Sequence, residues 1–244
     1  MKISRTLATA GRVLTQIRHD PRTVALLLLV PSLLIGLVAW IFSDTTVFET
    51  VGPAMIALFP FIVMFLVTSI TTLRERRTGT LERLLSMPLG RGDLILGYTL
   101  AFGLLAVLQS SIAALFAVTV CGLDIAGSLW LLVAVAVADA ILGTTLGLLA
   151  SAFARTEFQV VQFMPLLVFP QILLGGIFLP RDQLPDVLQA IGDALPLSHA
   201  IDALTAVAAE SQDDAYVLGE LLIILVWIAG AVTLASLTLR RRTP

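Results

Sequence analysis

Few side chains in this 244-residue sequence could take part in chemistry, and the clearest of them is Asp139. It lies midway along a long apolar run, and Gly143 and Gly147 follow it on the same helical face. Small residues at this spacing indicate close packing of membrane helices, so we expect Asp139 to face a neighbouring helix, with Gln109 as its partner. A carboxyl group there suits proton coupling or cation recognition. It suits a structural hydrogen bond between helices equally well.

The motifs of catalysis and metal binding are missing. Cys121 is the only cysteine, and His199 is the only histidine away from the N-terminal segment, so we expect no metal site. No His-Glu-x-x-His or Gly-x-Ser-x-Gly motif occurs, which leaves protease and hydrolase functions without support. The Gly-x-x-x-x-Gly-Lys-Ser/Thr phosphate loop is also absent. We predict no catalytic residues, no cofactor held by this chain and no nucleic-acid partner.

The composition indicates that these residues are positioned by helices in lipid. Hydrophobic residues make up 58% of the chain and charged residues only 13%, about half the usual soluble share. Six apolar runs are long enough to cross a hydrocarbon layer of about 30 Å. The sequence therefore predicts an all-α membrane protein with one six-helix domain over residues 23–244, its spans lying at 23–42, 54–73, 94–121, 129–152, 158–179 and 218–239.

The distribution of basic residues predicts the orientation. Fourteen of the 15 lysines and arginines fall on one side of these spans, and only Arg181 falls on the other. Basic residues in short loops mark the cytoplasmic face, so we expect both termini to be cytoplasmic. An arginine-rich, lysine-poor and alanine-rich composition is typical of a bacterial plasma-membrane protein from a GC-rich genome.

Residues 1–22 predict an amphipathic helix before the first span. Its apolar positions follow helical spacing, and Arg5, Arg12 and Gln16 fall on the opposite face. Such a helix suits the cytoplasmic lipid interface. Packing against the protein itself is the alternative. The apolar positions are Ile3, Leu7, Ala10, Leu14 and Ile17.

The loop of residues 74–93 between the second and third spans predicts a short helix. Gly79 allows a turn, Thr80 can cap the helix, and Pro88 ends it. An apolar ridge with flanking charges is suited to a groove on a partner protein. An ordinary connecting loop with positive-inside charges explains the residues equally well. The ridge consists of Leu81, Leu84 and Leu85.

Two patterns carry a resemblance to a known family. The first is Glu75-x-x-x-Gly-Thr-Leu-Glu-x-Leu-Leu-x-x-Pro-x-x-Arg91-x-x-Leu94, and the second is Leu174-Gly-Gly-Ile-Phe-Leu-Pro180, followed by Leu-Pro at 184–185 and Pro-Leu-Ser at 196–198. Both resemble the permeases of ABC-2 type transporters, a family that includes daunorubicin-resistance-type drug exporters. His199 departs from the pattern, because many relatives carry an aromatic residue there.

The resemblance implies an exporter that moves an amphipathic, drug-like or lipid-like substrate outward. A separate ABC ATPase, present in two copies, would bind ATP and Mg, and a second permease subunit would complete a homodimer in the lipid. The loop helix would couple the ATPase to the spans. The coupling residues implied are Glu75, Gly79, Thr80, Leu81, Glu82, Leu84, Leu85, Pro88 and Arg91.

The resemblance also implies a substrate path between the two permeases and an outer gate. Residues 180–215 would form re-entrant helices at that gate, with a pair of amphipathic surface helices as the alternative. Ordinary packing or lipid contact explains each path residue as well. The path residues are Phe59, Phe65, Gln109, Asp139, Phe163, Phe169 and Gln171, and the gate residues are Gly175, Gly176, Phe178 and Pro180.

Two other functions compete with export. A secondary transporter could use Asp139 for proton coupling, although the two halves show no evident internal repeat. A membrane scaffold or assembly factor would transport nothing.

Overall fold

A computed structural model describes residues 3–43, 46–79, 90–179, 181–209 and 212–238, and this part of the chain contains no β-strand. A 3₁₀ turn at Arg181–Gln183 separates the sixth and seventh helices. The described helices are α1 (Ile3–Arg18), α2 (Pro21–Ile41), α3 (Val47–Arg77), α4 (Arg91–Thr119), α5 (Leu129–Phe153), α6 (Glu157–Leu174), α7 (Asp186–Ala194), α8 (Pro196–Ala209) and α9 (Asp214–Thr238).

Six of these helices, α2 to α6 and α9, are long and apolar enough to cross a membrane, which confirms the predicted all-α fold with six spans. Two of the spans differ clearly from their predicted bounds. The second span covers 31 residues, because polar residues at both ends continue the helix beyond its apolar part. The fifth ends at Leu174 rather than at 179, because Gly176 has a φ of 87°, a backbone conformation that only glycine adopts readily.

The centre of the bundle is the contact between α3 and α5. A Cβ atom added at Gly143 would lie 2.5 Å from the carbonyl oxygen of Phe61, and one at Gly147 would lie 2.6 Å from that of Phe65. The two backbones therefore nearly touch, as the predicted stripe of small residues requires. Apolar side chains from α2, α3, α4, α5, α6, α8 and α9 form the larger core around this contact.

The spans alternate in direction, so the bundle has two ends. At the arginine-rich end α3 and α5 finish, α4 and α6 begin, and α1 packs on α4, where Gly97 lies directly against Thr9. The acidic end holds α7, α8 and the start of α9. The prediction of two helical runs in residues 180–215 is confirmed by α7 and α8. Most of α8 is buried in the core, so the alternative of two surface helices is wrong for α8.

Candidate functional site

A buried ionic cluster lies at the arginine-rich end, in the last turn of α3. Glu75 is only 4% exposed and accepts two hydrogen bonds from Arg12 of α1, from Nη1 to Oε1 at 3.2 Å and from Nη2 to Oε2 at 3.0 Å. The hydroxyl of Tyr98, on α4, also donates to Glu75 and accepts from Arg12 Nη2 at 2.9 Å. A paired, fork-shaped contact of this kind fixes the relative orientation of the groups. The cluster therefore holds α1, α3 and α4 in one arrangement.

The surroundings of Arg12 stabilise its positive charge. Burial opposes it, but the hydrogen bond with Glu75 and the nearby Tyr98 outweigh burial, so the pKa of Arg12 is raised above its usual value. The guanidinium carbon also lies 5.7 Å from the centre of the Tyr98 ring, within the range of a cation–π contact. Arg12 was predicted on the face of α1 opposite the apolar residues, and from there its side chain reaches Glu75, the buried acid of α3.

The residues on either side of Glu75 reach two further helices. Arg74 donates to Glu157 at the start of α6, through Nε at 2.8 Å and Nη2 at 3.0 Å. Arg76 donates through Nη1 to the carbonyl oxygen of Ser151 in α5. Side chains of consecutive helical residues point about 100° apart, so three residues in a row can contact neighbours on three sides of the helix. We call Arg74, Glu75 and Arg76 the α3 hub.

The α3 hub lies at the start of the predicted coupling loop of residues 74–93. The predicted start of that loop is wrong, because α3 continues to Arg77. Gly79 has a φ of 72° and follows the end of α3 at Arg77, which confirms the predicted turn. At the other side of the loop, the N–H of Gly90 donates to Asp93 Oδ2 at 3.3 Å where α4 begins. Thr80, Leu81, Glu82, Leu84, Leu85 and Pro88 lie outside the described residues, as does the side chain of Arg91. Their arrangement as a short helix stays a prediction.

The seven predicted path residues do not share one surface of the chain. Phe65, Gln109 and Asp139 are fully buried, Phe59 and Phe163 are half-buried, and only Phe169 is largely exposed. The side-chain oxygens and nitrogen of Asp139 and Gln109 have no hydrogen-bond partner, so the predicted pairing of these two residues is not present. A substrate path along these residues stays a prediction. In this arrangement of the helices most of these side chains are not accessible from outside the protein.

Gln171 connects two elements at the acidic end. Its Oε1 accepts from the N–H of Leu197 at the start of α8 at 3.0 Å, and its Nε2 donates to the carbonyl oxygen of Leu167 at 2.8 Å. A Cβ atom added at the neighbouring Gly175 would lie 2.9 Å from Ile201 Cδ1, so α6 and α8 meet closely. Among the predicted gate residues, Phe178 is exposed and Pro180 lies outside the described part of the chain.

Sequence reasoning missed Tyr98, Arg74 and Arg76 as members of the site. One signal was available, since Glu75 and Glu157 are acids at an end dominated by arginine. An acid beside an apolar run needs a donor when it is buried. Arg12 is 63 residues from Glu75 in sequence, so no local pattern identified the pairing.

Six membrane-crossing helices, two of which are in close contact, define a multi-pass helical membrane protein. An ionic cluster lies at the end of one of these spans. Comparison with known proteins gives the family. The model of the ABC-2 type transporter family matches residues 5–209, which include most of α1 and all of the first five spans. The chain belongs to the ABC-2 type transporter family.

Several curated proteins are similar to this chain. ABC transporter G family member 20 of Dictyostelium discoideum is 26% identical over 196 residues, 80% of this chain and 27% of the relative. The probable multidrug ABC transporter permease YbhR of Escherichia coli (strain K12) is 30% identical over 62% of this chain and 41% of its own length. The linearmycin resistance permease protein LnrN of Bacillus subtilis (strain 168) is 28% identical over 68% of this chain and 42% of its own. The chain thus spans less than half of each relative's length.

Proposed function

We propose that this chain is the membrane permease of an ATP-driven exporter in a bacterial plasma membrane, with the arginine-rich end and both termini in the cytoplasm. Membership of the ABC-2 type family and the positive-inside distribution of arginine support this proposal. The names of two relatives refer to multidrug transport and to linearmycin resistance, which supports a drug-like substrate.

The observation that carries the proposal is the α3 hub. A loop that receives force from a partner must pass it to the spans, and coupling of that kind travels through packed and hydrogen-bonded elements. Three residues in the last turns of α3 connect this helix to α1, α4, α5 and α6 through Glu75, Arg76 and Arg74. A displacement of the loop at its first residue therefore acts on four other helices.

The proposed assembly contains two copies of the permease and two ATPase subunits, with the substrate path between the permeases. One face of α6 favours a second permease as its neighbour. Its apolar side chains recur at helical spacing and are exposed, whereas the opposite face packs against α3 and α8. ATP and Mg would bind to the ATPase, since this sequence has no phosphate loop. The exposed side chains are Phe158, Val161, Leu166, Phe169 and Leu173.

The test is co-purification of the chain with the ATPase encoded beside it, followed by ATPase activity in lipid. The variant is Glu82→Lys in the coupling loop, and the matched control is Glu49→Lys, an exposed acid at the other end of the bundle. We expect Glu82→Lys to lose the ATPase or its substrate-stimulated turnover and Glu49→Lys to retain both. An isolated surface substitution otherwise changes stability by less than about 0.5 kcal/mol.

The proton-coupled alternative rests on Asp139, which is fully buried with both carboxyl oxygens unpartnered. If no ATPase binds the wild-type chain, and efflux follows a proton gradient that Asp139→Asn abolishes, secondary transport replaces the proposal. If neither energy source drives transport in the purified chain, the scaffold function remains.

A further inference from the structure

A histidine at the acidic end is held between two acceptors. His199 of α8 has Nδ1 at 2.5 Å from Glu220 Oε2 on α9 and Nε2 at 2.9 Å from the backbone carbonyl oxygen of Asp193 on α7. Both side chains of the pair are nearly buried, with exposed fractions of 11% and 13%. One ring therefore connects three helices.

Counting hydrogens shows that this arrangement contains a labile proton. A carbonyl oxygen can only accept, so Nε2 must carry a hydrogen and donate it to Asp193. A second hydrogen must lie between Nδ1 and Glu220, because a ring lone pair and a carboxylate would repel each other at that distance. It is shared by the pair, whichever atom holds it. Without it, the neutral ring would face an unneutralised carboxylate.

The neighbouring elements bring other charged or polar groups to this pair. Arg181 of the 3₁₀ turn pairs with the Asp193 carboxylate at 3.0 Å and with Asp202 of α8. Tyr216 of α9 interacts with Glu220. The charge of Arg181 also acts on Glu220, so Arg181 is one of the charged groups that face the His199–Glu220 pair. The packing of α3 and α5 on α8 is apolar, and α6 meets α8 through Gln171 and Gly175.

We propose that His199 and Glu220 form a proton-binding site that locks α7 and α9 to α8, and that loss of the proton releases this end of the bundle. Histidine is the side chain that ordinarily gains or loses a proton between about pH 5 and pH 8, which sets the pH range of the test. The proton is bound at low pH, and the lock is lost as the pH rises.

Apart from the His199 contacts, α7 and α9 are held to α8 to different extents. Most of α8 is buried, and it stays in the core whether or not the proton is present. Gly192 is the only residue of α7 that is buried, so α7 depends on a few specific contacts of the kind that His199 supplies. On α9, Val217 and Ile224 lie in the same apolar core as α8, so release means movement of α7 relative to α8 and α9.

The experiment measures the distance between α7 and α9 in the full chain in lipid. Spin labels are placed at Val187 on α7 and Leu218 on α9, both exposed, after Cys121→Ser removes the only native cysteine. We expect one narrow distance at about pH 5.5 and a second, longer population at about pH 8.5. No ATPase is needed, so the result does not depend on the proposed export function.

Two variants test whether the shared proton, and not another titrating group, causes the change in distance. In Glu220→Gln the side-chain amide can donate to Nδ1 of a neutral ring, so the narrow distance should persist at both pH values. In His199→Leu the contacts with Glu220 and Asp193 are both lost, so the longer distance should be present at both pH values. Glu49→Gln removes an exposed acid at the same end and should keep the wild-type response.

Two outcomes would overturn the proposal. One is a wild-type distance that does not change between the two pH values. The other is a Glu220→Gln variant that responds as the wild type does, since another group would then be titrating. The Glu220→Gln substitution is nearly isosteric, so the test stands even where His199→Leu does not fold.

Discussion

The two ends of the bundle hold their helices together with different chemistry. At the arginine-rich end, Glu75 pairs with Arg12, whose charge is permanent in the range of pH in which proteins work. At the acidic end, His199 and Glu220 depend on a single shared proton. Under the proposed function, a permanent ion pair suits the end that transmits a displacement of the loop, and a titratable pair suits the end that releases α7.

The ends also differ in how their accessory helices are seated. The helix α1 buries Ala10, Val13 and Ile17 and leaves Ile3 and Leu7 exposed, and the ion pair of Arg12 with Glu75 adds a specific polar attachment. Its exposed apolar residues keep the prediction of a lipid-interface helix open. By contrast, α8 lies within the larger apolar core. Substituting polar groups at each end therefore tests how much each attachment contributes.

The largest effect is expected at Glu75. Glu75→Gln leaves the guanidinium of Arg12 half-buried without its counter-charge, and breaking a buried pair costs about 3–5 kcal/mol, less here because Arg12 is 30% exposed. We expect a loss of about 2–3 kcal/mol in the free energy of unfolding, measured by denaturant titration in detergent. In a double-mutant cycle, Arg12→Gln added to Glu75→Gln should cost little more. Additive losses would show that the two residues act independently.

A smaller effect is expected at the acidic end. Gln171→Leu removes the acceptor of the Leu197 N–H inside the protein, and an unsatisfied buried donor costs about 1–3 kcal/mol. We expect a loss in the middle of that range by the same titration. Gln162→Leu, on the exposed face of the same helix, is the control and should change stability little. Equal losses in the two variants would mean that the link between α6 and α8 is not stabilising.

The smallest effect is expected at Arg74. Its pair with Glu157 is well formed at 2.8 Å, but both side chains are exposed, and exposed pairs contribute about 0–1 kcal/mol. Arg74→Gln should therefore lower the free energy of unfolding by less than about 1 kcal/mol, and the difference should shrink as salt is added. The loss caused by Glu75→Gln should persist in high salt. If both losses shrink alike, the contrast between a buried and an exposed member of the α3 hub is wrong.

Much of the fold could be predicted because lipid imposes strong local rules. The six spans follow from runs of apolar residues, and the close contact of α3 with α5 follows from glycines spaced four residues apart. Helix ends were less predictable. The extension of α3 to Arg77 depends on side chains that find partners on other helices, and α6 stops where Gly176 changes the backbone direction.

Less of the candidate site could be predicted. Gly79 was found because a turn is a local feature, and Glu75 was found through the family pattern. Which arginine meets Glu75 was not predictable, because Arg12 and Tyr98 are brought to it from 63 and 23 residues away. Asp139 was recognised as buried, but the expected bond to Gln109 is absent, since similar depth does not fix which way a side chain points.

The sequence by itself determined the membrane class, the number of spans and the asymmetry of charge between the two ends, because these depend on composition and on short periodic patterns. Only the tertiary structure decided that Arg12 turns inward, that three consecutive residues of α3 reach four other helices, and that His199 sits between two acceptors. Those contacts join residues that are distant in sequence, and only the packing of whole helices determines which side chains meet.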